Sequence, residues 1–89
     1  MLDSPNAIRI YYAKINFEIA KAHQDFCLLN ESVDKLSILY LKEMVRYSIL
    51  FDEKKSKNEK EKIRRDLTLL IEEWEETIKS REDFENEYL

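Results

Sequence analysis

The chain contains no glycine and only one proline, Pro5, in 89 residues. Tight hairpins, phosphate-binding loops and dinucleotide-binding loops need positive φ angles or close backbone approach, and glycine supplies both. These loops are therefore not expected. The chain is predicted to consist of helices joined by short polar segments.

Cysteine and histidine occur once each, as Cys27 and His23. A single cysteine cannot form an intrachain disulfide, which favours a reducing compartment and a cytoplasmic location. The two residues lie four positions apart and could share a metal ion, but a metal site needs three or four ligands. We therefore expect no metal site, no cofactor and no catalytic residue here. Cys27 is predicted to be part-buried.

Long apolar runs are also missing, since the longest are far shorter than the roughly 20 residues of a membrane-spanning helix. No basic region followed by an apolar run opens the chain, so no signal peptide is predicted. Charged residues are 38% of the chain and the net charge is −4. This balance argues against nucleic acid as the main ligand. A domain of this size often needs a partner or a second copy to complete its core.

The first helix is predicted over residues 5–28. Ser4 is a candidate N-cap, and Pro5 suits the first helical position because its missing N–H costs nothing there. Apolar residues at helical spacing predict one buried face. That face consists of Ile8, Tyr11, Ile15, Ile19, Ala22 and Phe26, widened by Ile10, Phe17, Ala20 and Cys27.

The second helix is predicted over residues 31–52, with Asn30 as its candidate N-cap. Its buried stripe is Leu29, Val33, Leu36, Tyr40, Met44, Tyr47 and Phe51. The apolar pattern keeps its phase from Ile8 to Phe51, so one continuous helix of roughly 70 Å that dimerises is the alternative. Because helices in globular proteins average about 11–12 residues, two helices separated by a break are favoured over one continuous helix.

The second joint, residues 52–58, has no apolar residue. It contains two overlapping capping boxes, Ser56 with Glu59 and Asn58 with Glu61. The third helix is predicted over residues 59–83, and residues 84–89 are expected to fray. The predicted fold is a single all-α domain, an antiparallel three-helix bundle, with a long helical hairpin that dimerises as the alternative.

Charge is segregated in the second half of the chain. Residues 53–66 hold seven Lys/Arg against four Asp/Glu, and residues 72–87 hold eight acids against two bases. This polarity opposes the helix macrodipole, which indicates a binding surface; an uneven solvated face is the alternative.

Tyr12 lies off the main stripe and is the aromatic interface candidate, whereas Tyr11, Tyr40 and Trp74 are predicted to be core. The partner-binding candidates are Tyr12, Lys54, Lys55, Lys57, Glu72, Glu73, Glu75 and Glu76.

One segment resembles a known catalytic signature. The residues that carry the likeness are Leu29, Val33, Asp34, Lys35, Leu36 and Tyr40. They resemble the motif of the small bacterial aspartyl-phosphate phosphatases that restrain sporulation, which are helical hairpins. The resemblance implies that Asp34 would assist attack of water on the phospho-aspartate of a response regulator.

A second resemblance covers more of the chain. Three helices with a lysine-rich joint before the third look like a microtubule-interacting and transport domain. Tyr40 to Met44 lies where the second helix of such domains ends, and Leu67–Trp74 is similar to the third helix of the related domain in the autophagy lipid-kinase complex. This resemblance implies that a groove between helices one and three, or two and three, receives an amphipathic peptide.

The sequence thus predicts a non-enzymatic interaction module whose partner is another protein. Self-association as a homodimer is the alternative assembly, and a phosphatase-like regulator centred on Asp34 is the alternative function.

Overall fold

The computed structural model describes residues 5–89, in which all regular structure is helical. Helix α1 spans Pro5–Ala22, α2 spans Phe26–Glu53 and α3 spans Lys57–Tyr88. The joints between them, residues 23–25 and 54–56, are short enough that consecutive helices are antiparallel neighbours. The prediction of an all-α three-helix bundle is confirmed. The predicted N-cap Ser4 lies outside the described residues.

The first joint lies at residues 23–25, so both the break at Asn30 and the continuous helix were wrong predictions. Gln24 adopts a left-handed conformation with φ of 55°, at the position that glycine usually occupies after a helix. The Asp25 N–H donates to the Ala20 carbonyl at 2.9 Å, which closes the end of α1. The Asp25 side chain then accepts from the Leu28 N–H at 3.0 Å and caps α2. Asn30 lies inside α2.

The predicted bounds of the third helix also need correction. Helix α3 begins at Lys57, and Ser56 occupies the N-cap position without a side-chain capping bond. Asn58 lies within the first turn and caps nothing. Residues 84–88 are helical rather than frayed, because Phe84 is buried and stacks on Phe26 with ring centroids 6.4 Å apart.

The core forms around α2, which packs against α1 on one side and α3 on the other. The molecule is flat, with dimensions of 49 × 23 × 15 Å. The predicted stripe of α2 is confirmed, since Leu29, Val33, Leu36, Tyr40 and Tyr47 are buried. Because α2 has neighbours on two sides only, its remaining face is open to solvent.

The predicted buried face of α1 is partly right: Ile10, Phe17 and Ala20, which were predicted to widen it, are buried, whereas its central stripe is not. The buried residues are Ile10, Ala13, Phe17 and Ala20, whose two small alanines allow the backbone of α1 to approach α2 closely. The predicted central stripe points to solvent, with Ile8, Tyr11, Ile15 and Ile19 all exposed. Tyr11 is therefore not a core residue. Helix α1 carries two apolar faces, and packing against α2 covers only one of them.

Of the other aromatic residues predicted to be core, Tyr40 is fully buried. Trp74 is half-buried on α3. Its indole N–H donates to the Ser37 hydroxyl at 2.9 Å, which ties α3 to α2.

Candidate interaction surface

Large apolar side chains are exposed on the faces of α1 and α2 that point away from the core. On α1 the residues are Ile8, Tyr11, Tyr12, Ile15 and Ile19, and on α2 they are Ile38, Leu41, Val45 and Ile49. We call these nine residues the outer surface. Each set repeats at intervals of three or four, so each forms a continuous stripe along its helix. Exposed apolar patches of this extent are typical of interaction sites.

One residue of each stripe, Tyr12 on α1 and Ile38 on α2, lines a groove between the two helices. Tyr12, which is 62% exposed, and Ile38, which is 56% exposed, form its apolar lining together with Leu39. The groove has a volume of about 420 Å³. It continues along α2 into a shallower depression of about 380 Å³ at Leu41 and Val45. We call this combined feature the α1/α2 groove.

Basic side chains surround the α1/α2 groove. Arg9 lines it from α1, and Lys35 and Lys42 line it from α2. None of the three takes part in the ion pairs found among residues 5–89, and no acidic residue lines the groove. An apolar trough with an uncompensated basic rim therefore lies on a chain whose net charge is −4.

A second groove of about 410 Å³ lies between α1 and α3, and both of its lysines are paired with carboxylates. Lys14 Nζ lies 3.1 Å from Glu73 Oε2, and Lys21 Nζ lies 3.0 Å from Glu18 Oε1. Burial alone would lower the pKa of Lys14, but the hydrogen bond and the charge of Glu73 outweigh it and raise that pKa above its ordinary value. Glu76 also lines this groove and takes part in none of the ion pairs among residues 5–89, so the uncompensated charge of this groove is negative.

Tyr40 lies at the base of this second groove. Its hydroxyl is buried and faces Lys14 and Thr77, but it makes no hydrogen bond of good geometry to any described residue. Burial raises the pKa of Tyr40, and the charge of Glu73 raises it further, against the opposing effect of Lys14. Burial likewise raises the pKa of Tyr47 on the same helix, with the charge of Glu43 adding to it.

The predicted partner-binding residues do not form one site. Tyr12 lines the α1/α2 groove, whereas Glu72, Glu73, Glu75 and Glu76 are exposed on α3, outside that groove. The predicted lysines lie at the second joint: Lys54 is the half-buried C-cap residue of α2, and Lys55 and Lys57 are exposed.

Asp34 is exposed on α2, and its Oδ1 lies 3.8 Å from an Arg81 guanidinium nitrogen on α3. Its side chain is 76% exposed, so the pair is open to water and contributes little stability. Cys27 is exposed rather than part-buried, as is His23. Within residues 5–89 no three His, Cys, Asp or Glu side chains are grouped so that they could hold a metal ion.

One buried charge was not predicted. Glu43 is fully buried on α2, where Arg46 donates to both of its carboxylate oxygens at 3.3 and 3.4 Å and Asn6 donates at 3.2 Å. The bond to Asn6 links the start of α1 to the middle of α2.

The residues of the groove rim were not predicted either. The sequence does contain a signal of a second apolar face on α2, which is the repeat of Ile38, Leu41, Val45 and Ile49 at helical spacing.

No protein-family model matches this chain, and no curated protein and no solved structure shows significant similarity to it. The two family resemblances therefore stay predictions. None of the helices in residues 5–89 combines the length and the apolar character that a membrane crossing requires.

Proposed function

We propose that this protein is a non-enzymatic interaction module that binds a helical segment of another protein on its outer surface. The observation that carries the proposal is the set of nine exposed apolar side chains on α1 and α2. A free, exposed Cys27 thiol suits a reducing compartment, so we place the interaction in the cytoplasm.

The extent of the exposed apolar surface supports this function. Each of the nine side chains is between 38% and 63% exposed, and they form one stripe along α1 and another along α2. Transfer of this area from water gives the association a driving force that grows with the apolar area covered.

The mode of binding that this surface supports is a helix laid into a groove. Such sites take the apolar residues of an amphipathic helix at positions i, i+3, i+4 and i+7. The α1/α2 groove and its continuation extend along α2 from Lys35 to Val45, which is about 15 Å or three helical turns.

The test compares capture of proteins from a lysate of the native host by three forms of the chain. Ile38→Asp/Val45→Asp places charge on the outer surface, and Leu69→Asp places it on an exposed apolar residue of α3. We expect the same protein to be retained by the wild type and by Leu69→Asp, and lost with the double variant. Circular dichroism shows that each variant is folded. Retention by all three forms would overturn the proposal.

An alternative proposal, a phosphatase-like regulator, rests on the exposed carboxylate of Asp34 on a continuous stretch of α2. Asp34→Ala would then abolish hydrolysis of a response regulator's phospho-aspartate, measured as release of phosphate. For the interaction module, the same variant leaves partner affinity nearly unchanged because Asp34 does not line the α1/α2 groove.

A further inference from the structure

We infer that the α1/α2 groove binds an amphipathic helix of another protein whose flanks carry acidic residues. This inference rests on the proposed function and adds the chemical class of the partner. It follows from the composition of the groove, which has Tyr12, Ile38 and Leu39 as its apolar lining and Arg9, Lys35 and Lys42 as its rim.

The basic rim favours a negatively charged partner because its three cations are not already paired. The two lysines of the α1/α3 groove each have a carboxylate partner within 3.1 Å, whereas Arg9, Lys35 and Lys42 have none among residues 5–89. Carboxylates on a bound helix would supply the missing partners, and complementary charge across an interface gives both specificity and faster association.

The spacing of the rim residues defines where the partner's acids lie. Lys35 and Lys42 are seven residues apart on α2, which is about 10 Å or two helical turns. An acidic pair at the same interval on the bound helix would reach both lysines from one flank. Arg9 lies on the α1 side of the groove and would contact an acid on the opposite flank.

A second copy of this chain is a poorer occupant than another protein. The acidic helix of this chain is α3, and its exposed large apolar residues are only Leu69 and, at its end, Tyr88. Its other apolar residues, such as Leu70 and Phe84, are buried in the core. No helix among residues 5–89 therefore combines an open apolar stripe with acidic flanks.

The experiment uses the full chain and two designed 14-residue peptides with the same leucine stripe, one flanked by glutamates and the other by lysines. Fluorescence anisotropy of labelled peptide gives the dissociation constant. We expect the glutamate peptide to bind the wild-type chain at least about tenfold more tightly, as three weak ion pairs together provide. The net charge of −4 favours the lysine peptide at long range, so a preference for glutamate must arise in the groove.

Two charge-reversal variants distinguish the effect of the groove on peptide binding from the effect of the overall charge. Lys35→Glu/Lys42→Glu should weaken the glutamate peptide about tenfold or more and abolish its advantage. Lys62→Glu/Lys79→Glu changes the net charge by the same amount at exposed positions of α3 that do not line the groove, and it should leave the preference intact. Ile38→Asp should weaken both peptides, because it removes the shared apolar contact.

Each other outcome overturns the inference. Equal affinity for the two peptides, or equal loss with both charge-reversal variants, means that the rim does not select acidic partners. If Ile38→Asp still abolishes binding in that case, the proposed function survives without the preference for acids. If neither peptide binds and light scattering shows a dimer that Lys35→Glu/Lys42→Glu dissociates, the occupant is a second copy.

Discussion

Replacement of Tyr40 by phenylalanine should stabilise the protein, which is an unusual result for a change in the core. The Tyr40 side chain is fully buried, and its hydroxyl faces Lys14 and Thr77 without a hydrogen bond of good geometry to either. A buried polar group without a partner costs about 1–3 kcal/mol, whereas phenylalanine fills nearly the same volume without that cost. We therefore expect the free energy of unfolding of Tyr40→Phe to rise by about 1 kcal/mol.

The assay is urea unfolding at pH 7 followed by circular dichroism, with an unchanged m-value as the sign that only stability has changed. For a domain of this size, 1 kcal/mol corresponds to an increase of about 4–8 °C in Tm. Tyr47→Phe is the matched control, because Tyr47 is also buried on α2 but its hydroxyl is not an unpaired buried atom. A loss of about 1 kcal/mol or more in Tyr40→Phe would refute the reasoning, because it would mean that the hydroxyl has a hydrogen-bond partner.

The same variant should change the response to alkaline pH. Burial raises the pKa of Tyr40 above its ordinary value of 10.0, so the unfolded chain releases this proton at a lower pH than the folded chain. The contribution to stability is complete below pH 10 and decreases as the pH rises through the folded-state pKa. Urea midpoints between pH 9 and pH 11 should therefore fall less steeply in Tyr40→Phe than in the wild type.

Four further substitutions test the helix ends by the same urea assay. Asp25→Ala should cost about 1 kcal/mol because Asp25 caps α2, while Asn30→Ala should cost much less; equal losses would contradict the position of the break. Gln24→Gly should stabilise by roughly 0.5–1 kcal/mol, since glycine adopts positive φ without strain, and a loss would show that the Gln24 side chain stabilises the joint. Phe84→Ala should cost about 3–5 kcal/mol, whereas a neutral effect would indicate a frayed end of α3.

The stripe of α2 could be predicted from the sequence alone because Leu29, Val33, Leu36 and Tyr40 recur at helical spacing and the pattern continues to Met44, Tyr47 and Phe51. The break before α2 could not, because its signals are indirect. Because the chain has no glycine, Gln24 adopts the left-handed backbone conformation after α1. Glutamine is not a residue from which that conformation would be predicted. Asp25 is a good N-cap in sequence terms, but Asn30 is an equally good one, and only the packed structure distinguishes them.

The α1/α2 groove could not be predicted from the sequence pattern, because its residues come from two helices. Tyr12 was predicted as an interface residue and lines the groove, but its neighbours there come from α2. The sequence pattern does not distinguish Lys35 and Lys42 from other lysines as groove residues, since many lysines are exposed and few line a groove. Their role depends on Arg9 being opposite them, which is a consequence of how α1 packs on α2.

The sequence by itself determined the helical class, the second polar joint and the amphipathic character of α2, because the absence of glycine, a run of polar residues and the spacing of apolar residues are local properties of the chain. The tertiary structure decided which face of α1 is buried. Both faces are apolar, so hydrophobicity does not distinguish them. The face with Ala13 and Ala20 packs inward because small side chains let two helices approach closely, and this choice leaves Ile8, Ile15 and Ile19 exposed to solvent.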